Sequence, residues 1–109
     1  MSGRVSYLGE FEQVVLLAVA RLANDAYGMG VRAEIADRTG RAVTIGAMYA
    51  TLDRLVAKGY LRSQDDTREG RPRRLFAITA DGVAALEAAR DLQRRMWAGL
   101  RLSKPGRRS

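Results

Sequence analysis

Cysteine and histidine are both absent from the 109 residues. Their absence excludes disulfides, thiolate nucleophiles, Cys/His zinc sites and imidazole general bases. Carboxylates are the only acid–base groups left. Glu10 and Glu12 project to different faces of a helix, and Asp65 and Asp66 have no third ligand to complete a metal site. No enzyme activity, metal or cofactor is therefore expected. The longest apolar run is Val14 to Ala20, well short of the roughly 20 residues that span a bilayer. Glu10 and Glu12 also stand where a signal peptide would be basic and then apolar. No membrane partner is expected, and the location implied is cytoplasmic. Lysine is scarce too: two residues, against 17 arginines.

What is present is a surplus of positive charge. Lys and Arg total 19 and Asp and Glu 12, a net charge of +7, in a chain that is 47% apolar. That composition suits one small globular domain. A basic fold without catalytic side chains points first to a polyanion, and above all to nucleic acid.

Apolar spacing predicts four helices. Phe11, Val14, Val15, Ala18 and Leu22 share a face of a first helix from about Gly9 to Ala23, widened by Leu16 and Val19. A second runs from Gly28 or Met29 to Thr39, with Val31 and Ile35 inward and Gly40 as a left-handed terminator. A third is capped by Thr44 and ended by Gly59, with Ile45, Met48, Tyr49, Leu52, Leu55 and Val56 on its apolar face. Tyr60–Ser63 and Leu75–Ile78 read as the strands of a hairpin, with its turn over Asp65–Gly70. Thr79 then caps a last helix, roughly Ala80 to Leu102, longer than a small core needs, on which Leu86, Ala89, Met96, Trp97 and Leu100 share a face.

Two helices joined by a short turn, then a hairpin, define a mainly α (α+β) winged helix-turn-helix. The third helix would enter the major groove and the hairpin would touch the backbone. Residues 1–79 form the DNA-binding unit, 80–102 the long helix and 103–109 a loose basic tail. Candidate contacts to double-stranded DNA are Thr44, Ala47, Tyr49, Thr51, Arg54 and Lys58 of the third helix, and Arg71, Arg73 and Arg74 of the wing. Ala47, Thr51, Arg54 and Lys58 lie opposite the apolar face, small at one end and cationic at the other. Tyr49 lies at the border of that face, where its ring serves the core or its hydroxyl meets a phosphate. The acidic Asp65, Asp66 and Glu69 are expected to keep the wing tip clear of DNA.

The motifs Tyr27-Gly28, Thr44-Ile45-Gly46-Ala47-Met48-Tyr49, Leu52-Asp53-Arg54-Leu55, Lys58-Gly59-Tyr60-Leu61 and Gly70-Arg71-Pro72-Arg73-Arg74-Leu75-Phe76-Ala77-Ile78-Thr79 resemble the PadR-type transcriptional regulators. The likeness spans roughly residues 8 to 90. Departures are Ala50, where the family often has proline, and Met29, where an aromatic residue is common. The resemblance implies a dimeric, usually repressing regulator of the short subgroup, whose last helix carries the dimer contact. Leu86, Ala89, Met96, Trp97 and Leu100 would then form the homodimer interface. Some short members bind planar aromatic drugs at that interface, and Trp97 is the candidate ligand platform. The competing reading is a winged-helix dimer that binds a protein or small molecule without operator specificity.

Overall fold

The computed structural model describes residues 7–67, 70 and 72–105. The proposed wing contact Arg71 and tail residues 106–109 lie outside that set.

Helix α1 (Glu10–Leu22) lies at the centre of the fold and touches α2 (Gly28–Thr39), α3 (Ile45–Ala57), β2 (Arg73–Ile78) and α4 (Ala80–Trp97). Its Val15, Leu16, Ala18 and Val19 are buried, as the apolar stripe requires. A 3₁₀ turn, Ala23–Asp25, follows. The second helix buries Val31 and Ile35 and stops at Gly40, whose φ of 72° is the left-handed value that glycine adopts without a Cβ clash. Arg32 Nε donates to the Val43 carbonyl at 2.6 Å and closes the turn into α3. There Thr44 accepts from the Ala47 N–H at 3.1 Å, the expected N-cap. Met48, Leu52 and Leu55 of α3 are wholly buried. Each such side chain contributes about 1.5–3 kcal/mol by leaving water. Ile45, expected on that apolar face, is instead 49% exposed, at the first position of α3.

The hairpin strands are longer than the sequence suggests. β1 covers Leu61–Asp66 and pairs antiparallel with β2 from Leu61↔Ile78 to Asp66↔Arg73. Asp65 and Asp66 therefore belong to the ladder and not to the wing tip. They face Arg74 and Arg73 across it, and opposite charges directly across a sheet outweigh the turn preference of aspartate. The base of the wing is anchored by buried Phe76, whose N–H donates to the Ala26 carbonyl at 2.9 Å, and by an antiparallel bridge between Tyr27 and Leu75.

Thr79 caps α4 by accepting from the Gly82 N–H at 3.0 Å. The helix is shorter than expected, ending at Trp97. Gly99 at φ 74° turns the chain, and Leu100 leaves the helical face assigned to it. The first half of α4 is tied to the body by buried Gly82 and by Leu86, which packs on the core. From Arg90 to Pro105 every residue is exposed, so the second half overhangs. Among the described residues no helix is long and apolar enough to cross a membrane.

A methyl group on Gly82 would overlap the Tyr60 carbonyl oxygen and lie 2.8 Å from Ile78 Cγ1. Glycine to alanine inside a helix ordinarily stabilises by about 0.5–1 kcal/mol. Here the sign should reverse: Gly82→Ala is expected to lose about 1–3 kcal/mol, measured by urea unfolding. A gain in stability would show that α4 does not approach Tyr60 this closely.

Candidate nucleic-acid interface

The burial of Met48, Leu52 and Leu55 sets which side of α3 faces solvent. The exposed positions are Ile45, Gly46, Ala47, Ala50, Asp53, Arg54 and Ala57. Four of these seven are glycine or alanine, so another surface can come close to the backbone. Arg54 stands at one margin. At the other, Asp53 Oδ1 accepts from Arg74 Nη1 at 2.8 Å, and Arg74 Nη2 donates to Ser63 Oγ at 3.2 Å. These bonds join α3 to the wing. Between them lies an open cleft of about 650 Å³ lined by Tyr27, Met29, Tyr49, Asp53, Arg73 and Arg74.

Expected contact residues fall into three groups. Ala47, Arg54, Arg73 and Arg74 are at or beside this exposed face. Thr44 is exposed, while its hydroxyl serves as the cap. Tyr49 is half-buried at the cleft, with its ring against Gly28, where a Cβ would strike the phenol. Thr51 is a correction: it is 3% exposed and accepts from Arg54 Nη2 at 3.2 Å. It sits on the flank that packs toward α1, so its hydroxyl aids Arg54 instead of facing outward. Lys58 leans the same way, into an ion pair with Glu12 at 2.8 Å. The solvent face is thus turned about a quarter of a helical turn from the one inferred by spacing. Gly46, Ala50, Asp53 and Ala57 were missed, since small residues and a single acid carry no nucleic-acid signal of their own.

The wing arginines are held before any ligand arrives. Arg73 lies over the Tyr27 ring at 3.9 Å and Arg74 over the Phe76 ring at 4.8 Å. Tyr27 in turn donates its hydroxyl to buried Asp66. A cation stacked on an aromatic face loses less freedom when it meets a phosphate.

Glu12 was not among the expected site residues. As the third residue of α1 it reaches back to accept from the Gly9 N–H at 2.8 Å, half of a capping box, because glycine has no side chain to return the bond. Its other oxygen accepts from Lys58 Nζ at 2.8 Å and Arg54 Nε at 3.2 Å. Burial disfavours its charge. The hydrogen bonds from Lys58, Gly9 and Arg54, with the Lys58 charge, outweigh burial and hold the carboxyl below its ordinary value.

The fold and this face define the winged-helix class of DNA-binding proteins. One structure of that description, a winged-helix DNA-binding protein from STIV, superposes with a TM-score of 0.71 at 16% identity, over 88% of this chain and all of its own. The Transcriptional regulator PadR-like family model matches residues 16–88, and the chain belongs to that family. The transcriptional regulator Rv3488 of Mycobacterium tuberculosis is 36% identical over 80 residues, 70% of this chain and 74% of its own. A PadR family regulator from Eggerthella lenta has a TM-score of 0.68 at 25% identity, covering 83% of this chain and 81% of that one. The family is one of DNA-binding transcriptional regulators and not of enzymes.

A carboxyl with a depressed pKa adds stability above its unfolded-state pKa and loses it as the pH falls through the folded-state one. Arg54 is half-exposed and the pair is partly screened, so Glu12→Gln should cost about 1 kcal/mol at neutral pH. The gap should close on acidification below the ordinary carboxylate value. Urea melts across that range check this; a gap that does not change with pH would assign the loss to packing.

Proposed function

We propose that the chain is a homodimeric repressor that binds an inverted-repeat operator through α3 and the wing. The observation that carries this reading is the small-residue face of α3, set between Arg54 and the linked wing arginines Arg73 and Arg74. Gly46, Ala47 and Ala50 let the helix sink into the major groove, Arg54 reaches base edges, and the wing arginines grip phosphates. Thr44 and Tyr49 add contacts at the start of α3, and Arg71 extends the wing set.

One such module reads too few base pairs to select a site in a genome. Two copies related by a two-fold axis read half-sites about 34–36 Å apart. The overhang of α4 supports a dimer. Met96 is 72% and Trp97 53% exposed there, with Leu92, Leu100 and Leu102 also uncovered, so large apolar side chains gather on one segment, as at protein contact sites. Ala89 and the outer edge of Leu86 would meet the partner where the overhang begins. Repression would follow from occupying a promoter that overlaps the operator, in the cytoplasm. Exposure of the Trp97 ring also suits a planar aromatic effector, which would relieve repression by preferring one dimer geometry.

Selection of genomic fragments with purified protein at about 0.15 M salt tests the reading. Recovery of one inverted repeat upstream of a few genes supports it. Recovery in proportion to fragment length refutes it.

If each protomer neutralises about three phosphates, log K against log salt should slope near −5 for the dimer. Arg73→Ala with Arg74→Ala should weaken binding to every sequence and flatten that slope by about 0.9 per lost contact. Unchanged affinity and slope in an anisotropy titration would remove the wing from the interface. Trp97→Asp should give a monomer by sedimentation and lower operator affinity at least tenfold. A dimer that persists would place the interface elsewhere.

A further inference from the structure

The two cations of α3 converge on one carboxylate from α1. Glu12 is 7% exposed, and its Oε2 accepts from both Lys58 Nζ and Arg54 Nε. The cluster presents one net positive charge where sequence counting finds two. Lys58 is the more enclosed partner, with its side chain 29% exposed against 52% for Arg54. A guanidinium has five N–H donors. Arg54 turns Nε to Glu12 and one Nη2 hydrogen to Thr51 Oγ1. Its remaining donors, on Nη1 and the other Nη2 hydrogen, are not taken by Glu12 or Thr51, and the side chain is 52% exposed.

This arrangement bears on selectivity. A free lysine or arginine binds any phosphate within reach, whatever the sequence. A carboxylate behind the ammonium takes one of its three N–H donors, offsets its charge and repels a phosphate oxygen. A guanidinium pinned along its inner edge presents a fixed fork outward, the geometry that bidentate recognition of guanine requires. We infer that Glu12 is a specificity-setting residue of this regulator: from α1 it withdraws Lys58 from the phosphate backbone and fixes Arg54 for base readout. The inference rests on the operator-binding reading above. It makes Lys58 a brace within the protein and not a DNA contact.

The test uses the full chain, the selected operator and a scrambled duplex of equal length, in anisotropy titrations over a range of salt. Glu12→Gln keeps an oxygen that can accept from the Gly9 N–H, removes the charge, and puts an N–H₂ donor where Oε2 accepted from Lys58 and Arg54. Scrambled DNA should then bind more tightly, with a slope steeper by about 1.8 for a dimer, or about 0.9 per freed lysine. The ratio of operator to scrambled affinity should fall about tenfold. If wild-type protein itself shows no preference for the operator, the regulator reading fails and the inference with it. If the wild type discriminates, and folded Glu12→Gln keeps the same ratio and slope, the inference alone is overturned and Glu12 is only structural. Should Glu12→Gln not fold, Lys58→Gln decides the matter. It leaves the scrambled-DNA slope unchanged if Lys58 is withdrawn, and flattens it by about 1.8 if Lys58 is a phosphate contact.

Discussion

Met48, Leu52 and Leu55 lose all contact with water when α3 lies across Val15, Leu16 and Val19 of α1. Burial of this kind has no direction of its own, yet it fixes the rotation of α3 about its axis. Once that rotation is set, Gly46, Ala50, Asp53 and Ala57 must face outward and Thr51 must face α1. The wing depends on the same core through Phe76, which is buried with these residues and bonded to Ala26. One apolar cluster therefore orients both parts of the proposed DNA-binding surface.

Polar links refine what the core sets coarsely. Asp53 to Arg74 couples α3 to the wing, Tyr27 to Asp66 stiffens the wing's base, and Glu12 to Arg54 and Lys58 couples α3 to α1. The first and last of these place an acid beside a cation that composition alone would assign to DNA. The net charge of +7 is thus spread unevenly. Part of it is balanced by acids on and beside α3, and two of the wing guanidinium groups are stacked on aromatic rings. Side chains already ordered lose less on binding, and acids among the bases temper the attraction that any polyanion would feel.

The last helix divides into a docked half and a free half. Gly82 and Leu86 join it to the body, while every residue from Arg90 to Pro105 is exposed. The free half is nonetheless rich in large apolar groups. Apolar groups uncovered on a free helix are the observation on which the proposed dimer rests.

Much of the architecture was legible in the chain because its signals are local. Thr44 and Thr79 as caps, Gly40 as a left-handed stop and the inward spacing of Val31 and Ile35 depend on neighbours within one or two turns. So does the exclusion of thiol and imidazole chemistry, which needs only composition. Pairings across tens of residues could not be read that way. Asp65 and Asp66 look like turn formers until Arg74 and Arg73 lie opposite them. Ile45 looks like core, yet it is exposed at the first position of α3. Thr51 looks like a solvent-facing contact until packing buries it, and Lys58 looks like a free cation until Glu12 meets it. Side-chain periodicity finds a helix and its broad apolar stripe. Which flank of that stripe is covered, and which cation is matched by a distant acid, is decided only when separate elements come together around one core.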